Sequence, residues 1–337
     1  MPSTEPDSAP RLGLSLAPAN TFSLTDLVEA VVLADNLGYE SAWVPETWGY
    51  DTVSVLTVLS MKTSRIGVAA GVFNVYSRSA ALLAQTAVTL QTVSGGRFIL
   101  GLGASGPRVI ENWHGIPYRR PLARTEDYVK TIRLALAGGR VDYDSPNVHL
   151  SGFRLAARPP APIPIYIAAL GPANIRLTGR LADGWLPIFA VRGHMSGLFD
   201  LLREGAEEAG RDRSAIDVAA YIPCLISPRG ERLLAQQLAY YIGGMGSYYA
   251  AHMVRLGFDT AVAGIRKRWQ EGDRIAAVRA VPDALLDSST LGTTPESARE
   301  RLDQYRREGI RLPILTLPAG ATPQEVGATV GALAPAR

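Results

Sequence analysis

The sequence predicts a closed (β/α)8 barrel, a TIM barrel, that carries insertions. Eight short apolar segments have the character of buried strands, and segments with helical spacing of their apolar residues lie between them. The 337 residues, 47% of them hydrophobic, are enough for one large core, and barrels of this length commonly form a single domain. An open, doubly wound sheet is the rival arrangement. Eight alternating units favour closure, with a right-handed crossover at each step.

The predicted strands share a short aliphatic run bounded by glycine, proline or charged residues. They span residues 11–16, 41–44, 66–71, 98–102, 163–169, 184–188, 217–226 and 312–317. The predicted helices share apolar positions three and four residues apart and a recognisable start or stop, such as Ser23 with Asp26 three residues later. They span residues 23–38, 52–62, 80–93, 124–137, 172–181 and 295–308.

The alternation of strand and helix is interrupted twice. A β-hairpin insertion is predicted near residues 140–160, turning at the sequence DSPN, and a helical insertion near 228–282 is longer than one crossover requires. Residues 1–10 are predicted to be a disordered tail. The remaining residues, 11–337, are predicted to form a single barrel domain with these two insertions.

The composition excludes several classes of function. The formal net charge is only +3, from 34 basic and 31 acidic residues without a basic run, so we predict no nucleic-acid partner. The small excess of positive charge is compatible with an anionic small ligand. The one cysteine, Cys224, lies in an apolar run, and no cluster has metal-ligand spacing, so we expect neither disulfides nor a metal. Residues 1–10 lack signal-peptide features and no apolar run would cross a membrane, so we expect a soluble, cytoplasmic protein.

The third predicted strand leads into the most informative stretch of the chain, IGVAAGVFNVYSRS at residues 66–79. Aliphatic residues give way at Gly71 to aromatic and polar ones. The C-terminal ends of barrel strands are where such folds carry their chemistry. A glycine before bulky residues there indicates a bulge or a strained backbone, or else simple termination of the strand.

Three other strand ends carry unusual residues. PETWGYD after the second strand brings Glu46 and Trp48, which would position a flat ring and move a proton, or else cap a helix and pack. GLGASGP after the fourth strand lets backbone amides approach a ligand, but lacks the acidic residue that a dinucleotide-binding unit needs on the next strand. YIAALGP after the fifth strand leads into a helix at Pro172. Gly171 there precedes either a phosphate-binding helix N-terminus or a plain turn.

The order and spacing of several motifs give a family resemblance over nearly the whole chain. These are SAWVPE, GVFNVYSRSAALLAQTAVTL, SGGRFILGLGASG, LARTEDYVKTIR, and IPIYIAALGP followed by ADGW. Together they closely resemble the bacterial-luciferase-like flavin and deazaflavin oxidoreductases. Within that superfamily they are most similar to the branch that uses coenzyme F420, such as methylenetetrahydromethanopterin reductase.

The resemblance implies a cofactor at the C-terminal ends of the strands. A non-prolyl cis peptide, here at Gly71–Val72, would form a bulge behind the central ring of the cofactor. The implied cofactor-binding residues are Gly71, Val72, Phe73, Asn74, Ala104, Ser105, Gly106, Ala168, Ala169, Leu170, Gly171 and Pro172. The chain departs from F420-dependent glucose-6-phosphate dehydrogenase, since Thr47 replaces a catalytic histidine and Gly106 a glutamate. A sugar-phosphate dehydrogenase mechanism is therefore not expected.

The resulting hypothesis is an F420-dependent oxidoreductase that passes a hydride between the reduced deazaflavin and an unsaturated or imine-like organic substrate. The predicted catalytic residues are Glu46, as proton donor, and Thr47, as a hydrogen-bond donor. The predicted substrate-binding residues are Trp48, His114, Arg119 and Arg120, the last three in a loop that would fold over the site.

Two alternatives stay open. One is an FMN-dependent, luciferase-like monooxygenase, whose mark would be a dedicated histidine or cysteine near the oxygen-reactive ring position. The other is a non-catalytic flavin- or deazaflavin-binding protein. The resemblance also implies a homodimer formed through helices near strands two and three, for which the apolar face of residues 80–93 is suited, although that face would equally pack on the barrel.

Overall fold

A computed structural model of the chain describes residues 10–16 and 23–335. The predicted tail, residues 1–10, lies outside the described residues apart from Pro10. The strands are β1 Gly13–Ser15, β2 Ser41–Val44, β3 Gly67–Ala70, β4 Phe73–Asn74, β5 Phe98–Gly103, β6 Val141–Asp144, β7 His149–Phe153, β8 Ile165–Ile167, β9 Gly184–Trp185, β10 Asp217–Pro223 and β11 Leu312–Thr316.

Parallel strands close into a ring. Within the described part of the chain, eight strands pair in the order β1, β2, β3, β5, β8, β9, β10, β11, and β11 pairs back to β1 through Gly13 and Ile314. The predicted (β/α)8 barrel is confirmed. Strand β4 stands outside this count, because it extends the sheet past β3 by pairing Phe73 with Leu102.

Helices follow the strands around the ring. They are α1 Leu24–Asn36, α2 Thr52–Lys62, α3 Ala80–Val93, α4 Pro107–Asn112, α5 Pro121–Ala137, α6 Pro172–Leu181, α7 Ser196–Glu208, α8 Gly230–Gly244, α9 Tyr248–Arg255, α10 Asp259–Gln270, α11 Arg274–Arg279, α12 Asp283–Ser289, α13 Pro295–Arg307 and α14 Pro323–Ala332. The predicted capping box at the start of α1 is present, since Ser23 Oγ accepts a hydrogen bond from Asp26 N at 3.1 Å. Helix α5 begins three residues before its predicted start, because Pro121 occupies its first position.

The two stretches of extra sequence are a hairpin and a run of helices. Strands β6 and β7 are an antiparallel hairpin between α5 and β8, and Asp127 of α5 holds it by accepting hydrogen bonds from Tyr143, Ser145 and Asn147 at 2.7–2.8 Å. Helices α8 to α12 separate β10 from α13, where most other crossovers have one or two helices.

The interior of the barrel is filled by an aromatic plug, formed by Trp43, Tyr166 and Tyr221. The ring centroids of Trp43 lie 5.4 Å from Tyr166 and 6.3 Å from Tyr221, both in edge-to-face geometry. The plug packs with a small buried cluster that is separate from the larger core between strands and helices. The barrel is therefore a packed core whose chemistry is confined to its rims.

The N-terminal rim of the barrel is closed by an ionic network. Arg11 donates to Glu40 at 2.6 and 2.7 Å and to Asp217 at 2.7 and 2.9 Å, and the Tyr166 hydroxyl donates to Asp217 at 2.9 Å. This network ties the starts of β1, β2 and β10 together. Among the described residues, no helix combines the length and apolarity needed to cross a membrane.

Candidate active site

A bulge in the backbone lies at the C-terminal rim, between β3 and β4. The Gly71–Val72 peptide bond is cis, as the resemblance implied. Strand β5 makes room for the bulge with glycines: a Cβ at Gly101 would stand 2.0 Å from the Ala70 carbonyl oxygen, and one at Gly103 would stand 2.8 Å from Val72 Cγ2. These two glycines of GLGASGP therefore serve backbone packing, and ligand approach is left to Gly106.

The bulge rests on the aromatic plug. The Tyr221 hydroxyl donates a hydrogen bond to the Gly71 carbonyl oxygen at 3.1 Å. Burial raises the pKa of Tyr221 well above its ordinary value, so the hydroxyl keeps its proton and acts as a donor. Val72 and Ala168 are half-buried and pack on the same cluster, so they form an apolar floor at the open end of the barrel.

Glu46 holds the loop that follows the bulge. Its Oε2 accepts hydrogen bonds from Asn74 N at 3.1 Å and Asn74 Nδ2 at 2.9 Å, and its Oε1 accepts one from Arg78 Nε at 3.0 Å. The Asn74 amide oxygen in turn accepts from the backbone of Tyr76 and Ser77 at 3.0 and 2.7 Å. Because both carboxylate oxygens act as acceptors for this loop, the contacts favour a positioning role for Glu46 over the predicted proton donation.

The next two residues differ in their access to a ligand. Thr47 Oγ1 is buried without a hydrogen-bond partner among the described residues. Trp48 is 46% exposed and contacts Trp113, 49% exposed, in edge-to-face geometry with centroids 4.8 Å apart. Trp113 follows α4, so the indole pair joins the loops after β2 and β5 across the rim.

The end of β5 turns sharply. Ser105 has φ +57°, and its carbonyl oxygen accepts a hydrogen bond from the Tyr118 hydroxyl at 3.2 Å. Gly106 begins α4, and a Cβ there would have no neighbour within 4 Å. The backbone at Ala104 to Gly106 therefore borders open space on the side where GLGASGP was predicted to approach a ligand.

The end of β8 provides a second open backbone segment. Gly171 precedes α6 with no side-chain cap, and a Cβ at Gly171 would also meet nothing within 4 Å. The Leu170 carbonyl oxygen accepts a hydrogen bond from Arg255 Nη2 of α9 at 3.0 Å. At this helix start Pro172 has no N–H and Asn174 N already donates to the Gly171 carbonyl oxygen at 3.0 Å, so the Arg255 guanidinium is the main group here that favours an anion.

The structure brings most of the predicted site residues to this one rim, with unequal access. Phe73 and Ala169 are fully buried, and the Ala169 carbonyl is taken by Trp185 Nε1 at 2.9 Å, so neither offers side-chain surface to a ligand. Strand β4 turns Phe73 into the core, where Arg78 covers its ring at 5.3 Å. His114, Arg119 and Arg120 lie exposed on the α4–α5 loop.

Three residues that the sequence interpretation did not place reach the rim from a distance. Tyr221 comes from inside the barrel, and Arg255 and Tyr248 come from α9 in the helical insertion. The Tyr248 side chain lies beside Tyr118 of the α4–α5 loop. The sequence analysis placed α9 only within the helical insertion near 228–282, and no local signal there names the residues that this helix meets.

Two residues with redox or acid–base potential lie away from the open rim. Cys224 is fully buried, and burial raises the pKa of its thiol to about 12. His252 of α9 is 1% exposed and contacts the Phe189 carbonyl oxygen through Nε2 at 3.2 Å. Among the described residues, no group of three or more histidine, cysteine, aspartate or glutamate side chains is placed to hold a metal ion.

Comparison with known proteins agrees with this geometry. The model of the luciferase-like monooxygenase family matches residues 6–312. The chain belongs to this family. A Mycobacterium tuberculosis protein assigned as a coenzyme F420-dependent oxidoreductase is 29% identical over 95% of this chain and 99% of its own. The 5,10-methylenetetrahydromethanopterin reductase of Methanolobus tindarius is 30% identical over 89% of this chain and 92% of its own.

The fold has a solved counterpart. The coenzyme F420-dependent tetrahydromethanopterin reductase of Methanopyrus kandleri superposes with a TM-score of 0.83, at 23% identity, covering 97% of this chain and 98% of that one. The family resemblance inferred from the motifs is confirmed, and the chain is an enzyme of the oxidoreductase class.

Proposed function

We propose that this enzyme uses coenzyme F420 to transfer a hydride between the reduced deazaflavin and an unsaturated or imine-like organic substrate. The observation that carries the proposal is the open rim above the Gly71–Val72 bulge, where four strand ends leave backbone and apolar floor uncovered. The relatives named above, one of them a methylenetetrahydromethanopterin reductase, support the choice of cofactor and of reaction.

The residues present fit a cofactor of this kind. A flat tricyclic ring needs an apolar floor, which Val72 and Ala168 provide, and close backbone approach, which Gly106 allows. A phosphate needs positive charge and hydrogen-bond donors, which the guanidinium of Arg255 beside the start of α6 supplies. The buried, unpartnered hydroxyl of Thr47 is a polar atom that the protein itself leaves unsatisfied.

The protein's contribution is geometric and electrostatic. When bound, the reduced deazaflavin supplies the hydride from its ring carbon. Val72 and the bulge would hold one face of the ring, and the Trp48–Trp113 pair would border the entrance for the substrate. Thr47 would supply a hydrogen bond to the bound ligand, while Glu46 keeps the Asn74 loop in place through the contacts described above.

The test of this proposal is a titration of the purified protein with coenzyme F420 and, in parallel, with FMN. We expect saturable binding of F420, seen as a change in its absorbance and fluorescence, and binding of FMN that is at least tenfold weaker. Reoxidation of bound, reduced F420 by an unsaturated organic substrate would then establish turnover.

Each contrary result has a defined meaning. A preference for FMN would replace the proposal with the luciferase-like monooxygenase. F420 binding without turnover on any reducible substrate would favour the non-catalytic binding protein. The buried position of Cys224, which keeps its thiol away from the open rim, argues against the monooxygenase.

We extend the proposal to a cytoplasmic homodimer. Helices α2 and α3 expose Met61, Leu82 and Val93 (74%, 44% and 39% exposed), an apolar face that a second copy would cover. Light scattering on the wild type and on Leu82→Glu should give a dimer and a monomer, respectively. A single, free cysteine suits a reducing compartment, which cell fractionation would check.

A further inference from the structure

The positive charge of this chain is concentrated beside the candidate active site. Residues 101–124, from the end of β5 to the first turn of α5, contain Arg108, Arg119, Arg120 and Arg124 against the single carboxylate Glu111. The excess of basic over acidic residues in this segment is three, which equals the formal net charge of +3 of the whole chain. An excess of one sign at the mouth of a cleft attracts ligands of the opposite sign.

None of these four arginines forms an ion pair within the described part of the chain, whereas arginines on neighbouring loops do. Arg78 pairs with Glu46 at 3.0 Å, and Arg192 pairs with Asp287 at 3.0 Å. Glu111, the one carboxylate of the segment, accepts a hydrogen bond from the Tyr118 backbone at 3.2 Å. The charge of the segment is therefore available to a ligand.

The loop that carries Arg119 and Arg120 is held firmly at the rim. Tyr118 stacks on Tyr76 with centroids 5.1 Å apart, and its hydroxyl donates to Ser105 O. The Tyr76 hydroxyl donates to the Arg119 carbonyl oxygen at 3.0 Å. Because these contacts hold the backbone at Tyr118 and Arg119, the two exposed guanidinium groups are presented on an ordered support, which lowers the entropy cost of binding.

Arg124 adds a charge that the protein leaves incompletely satisfied. Its guanidinium lies over the Tyr76 ring at 4.7 Å, and its Nε is buried without a hydrogen-bond partner among the described residues. A guanidinium stays protonated at any ordinary pH. Arg124 lies one helical turn after Arg120, and the repulsion between these two like charges is unfavourable by itself. An anion bound between them would turn this repulsion into a net attraction.

We infer that residues 105–124 form a binding site for the oligoanionic portion of a ligand whose remainder lies in the cleft. The segment begins at Ser105 and Gly106, which border the open rim, and continues outward to the exposed arginines, so one ligand can span both. The chemistry recognised is a chain of carboxylates or phosphates. Its source is the anionic tail of the cofactor or an anionic substrate; this assignment of the source rests on the proposed function, but anion binding does not.

The first experiment uses a tetraglutamate peptide as the probe, with the fluorescence of Trp48 and Trp113 and calorimetry as readouts. The test variant is Arg119→Gln/Arg120→Gln, whose side chains are exposed, so folding is preserved. The matched control is Arg154→Gln, an exposed arginine between β7 and β8 that forms no ion pair within the described part of the chain. At low ionic strength we expect about a five- to tenfold loss of affinity in the double variant and no loss in the control, with salt weakening the wild type most.

If the wild type binds tetraglutamate no better than the double variant does, the inference is overturned, whatever the result with F420. A second measurement identifies the source. Loss of affinity for intact F420, with unchanged affinity for its chromophore lacking the phosphate and carboxylates, assigns the site to the cofactor tail. Unchanged affinity for both forms, with a raised KM for anionic substrates, assigns it to the substrate. If the chromophore itself fails to bind the wild type, the proposed function fails while the tetraglutamate result still stands.

Discussion

The Glu46 carboxylate, two residues past the end of β2, and its neighbour Thr47 have different roles at the rim. Its two oxygens accept hydrogen bonds from Asn74 and Arg78, and the side chain is only 15% exposed. The neighbouring Thr47 hydroxyl is buried but unpartnered. One residue therefore holds the backbone of the bulge loop, and the next offers a free hydrogen-bonding group.

We predict that Glu46→Gln weakens cofactor binding and lowers stability. A glutamine amide would turn an NH2 group toward the Asn74 and Arg78 donors and remove the charge that Arg78 faces. The free energy of unfolding should fall by about 1–3 kcal/mol and the Kd for F420 should rise, with a smaller effect on kcat. Denaturant unfolding and fluorescence titration measure both quantities.

Thr47→Val is the matched comparison, because it removes a hydroxyl without a protein partner and keeps the side-chain shape. Its stability should stay within about 0.5 kcal/mol of the wild type, while turnover falls. The opposite pattern for Glu46→Gln, with unchanged binding and stability but strongly reduced kcat, would restore Glu46 as the proton donor.

Helix α9 is the element that joins the helical insertion to the barrel. Arg255, Tyr248 and His252 of this one helix contact the ends of β8, the α4–α5 loop and the Phe189 backbone, respectively. The Phe189 carbonyl can only accept, so His252 Nε2 carries the proton in the neutral ring. Burial lowers the pKa of His252 to about 4, outweighing the hydrogen bond to Phe189, which raises it.

We predict that this histidine makes the docking of α9 sensitive to pH. The pKa of His252 is about 4 in the folded chain and about 6.5 in the unfolded one, so the unfolded state binds more protons between these values. Stability from this group is present above pH 6.5 and is lost as the pH falls to 4, by roughly 3 kcal/mol. Urea unfolding at several pH values measures the loss.

His252→Gln retains an amide donor for the Phe189 carbonyl but does not titrate, so its stability should fall less steeply across this pH range. The other histidines, His114, His149 and His194, are exposed. They affect the pH dependence of stability equally in the variant and in the wild type. An identical pH slope in the variant and the wild type would contradict the prediction.

The whole molecule separates stability from chemistry along the barrel axis. The ionic network of Arg11, Glu40, Asp217 and Tyr166 occupies the N-terminal rim, the aromatic plug fills the middle, and the open C-terminal rim carries the free polar groups. Burial raises the pKa of Asp217, but the hydrogen bonds and charge of Arg11 outweigh it and leave the pKa below its ordinary value.

We predict that Asp217→Asn destabilises the fold and leaves cofactor binding nearly unchanged. The variant removes one of the two carboxylate partners of the half-buried Arg11, which keeps Glu40, and this loss should cost about 1–2 kcal/mol at pH 7. This difference should shrink as the pH falls and the wild-type carboxylate is protonated, because a lowered pKa contributes stability only while the group is ionised. Asp200→Asn on the exposed face of α7 is the control and should cost less than about 0.5 kcal/mol. A large change in the Kd for F420 would contradict the separation of the two rims.

The sequence by itself determined the barrel, because strand and helix are local properties: aliphatic runs, the Ser23 cap and the proline starts are all written within a few residues. It also led to the prediction that the C-terminal rim carries the site, since chemistry-bearing residues follow strands β2, β3, β5 and β8, and the family resemblance of its motifs implied the cis bond at Gly71–Val72. The hairpin and the long helical insertion were likewise visible as sequence in excess of one crossover.

Only the tertiary structure decided how those residues share the work. Gly101 and Gly103 look like Gly106 in sequence, yet two of them face the bulge and one faces open space, because β5 lies beside β3 in the sheet. Arg255 meets Leu170, 85 residues away, and Tyr221 meets Gly71, 150 residues away. Such contacts depend on how the chain closes on itself, and no local pattern encodes which residue a distant side chain will meet.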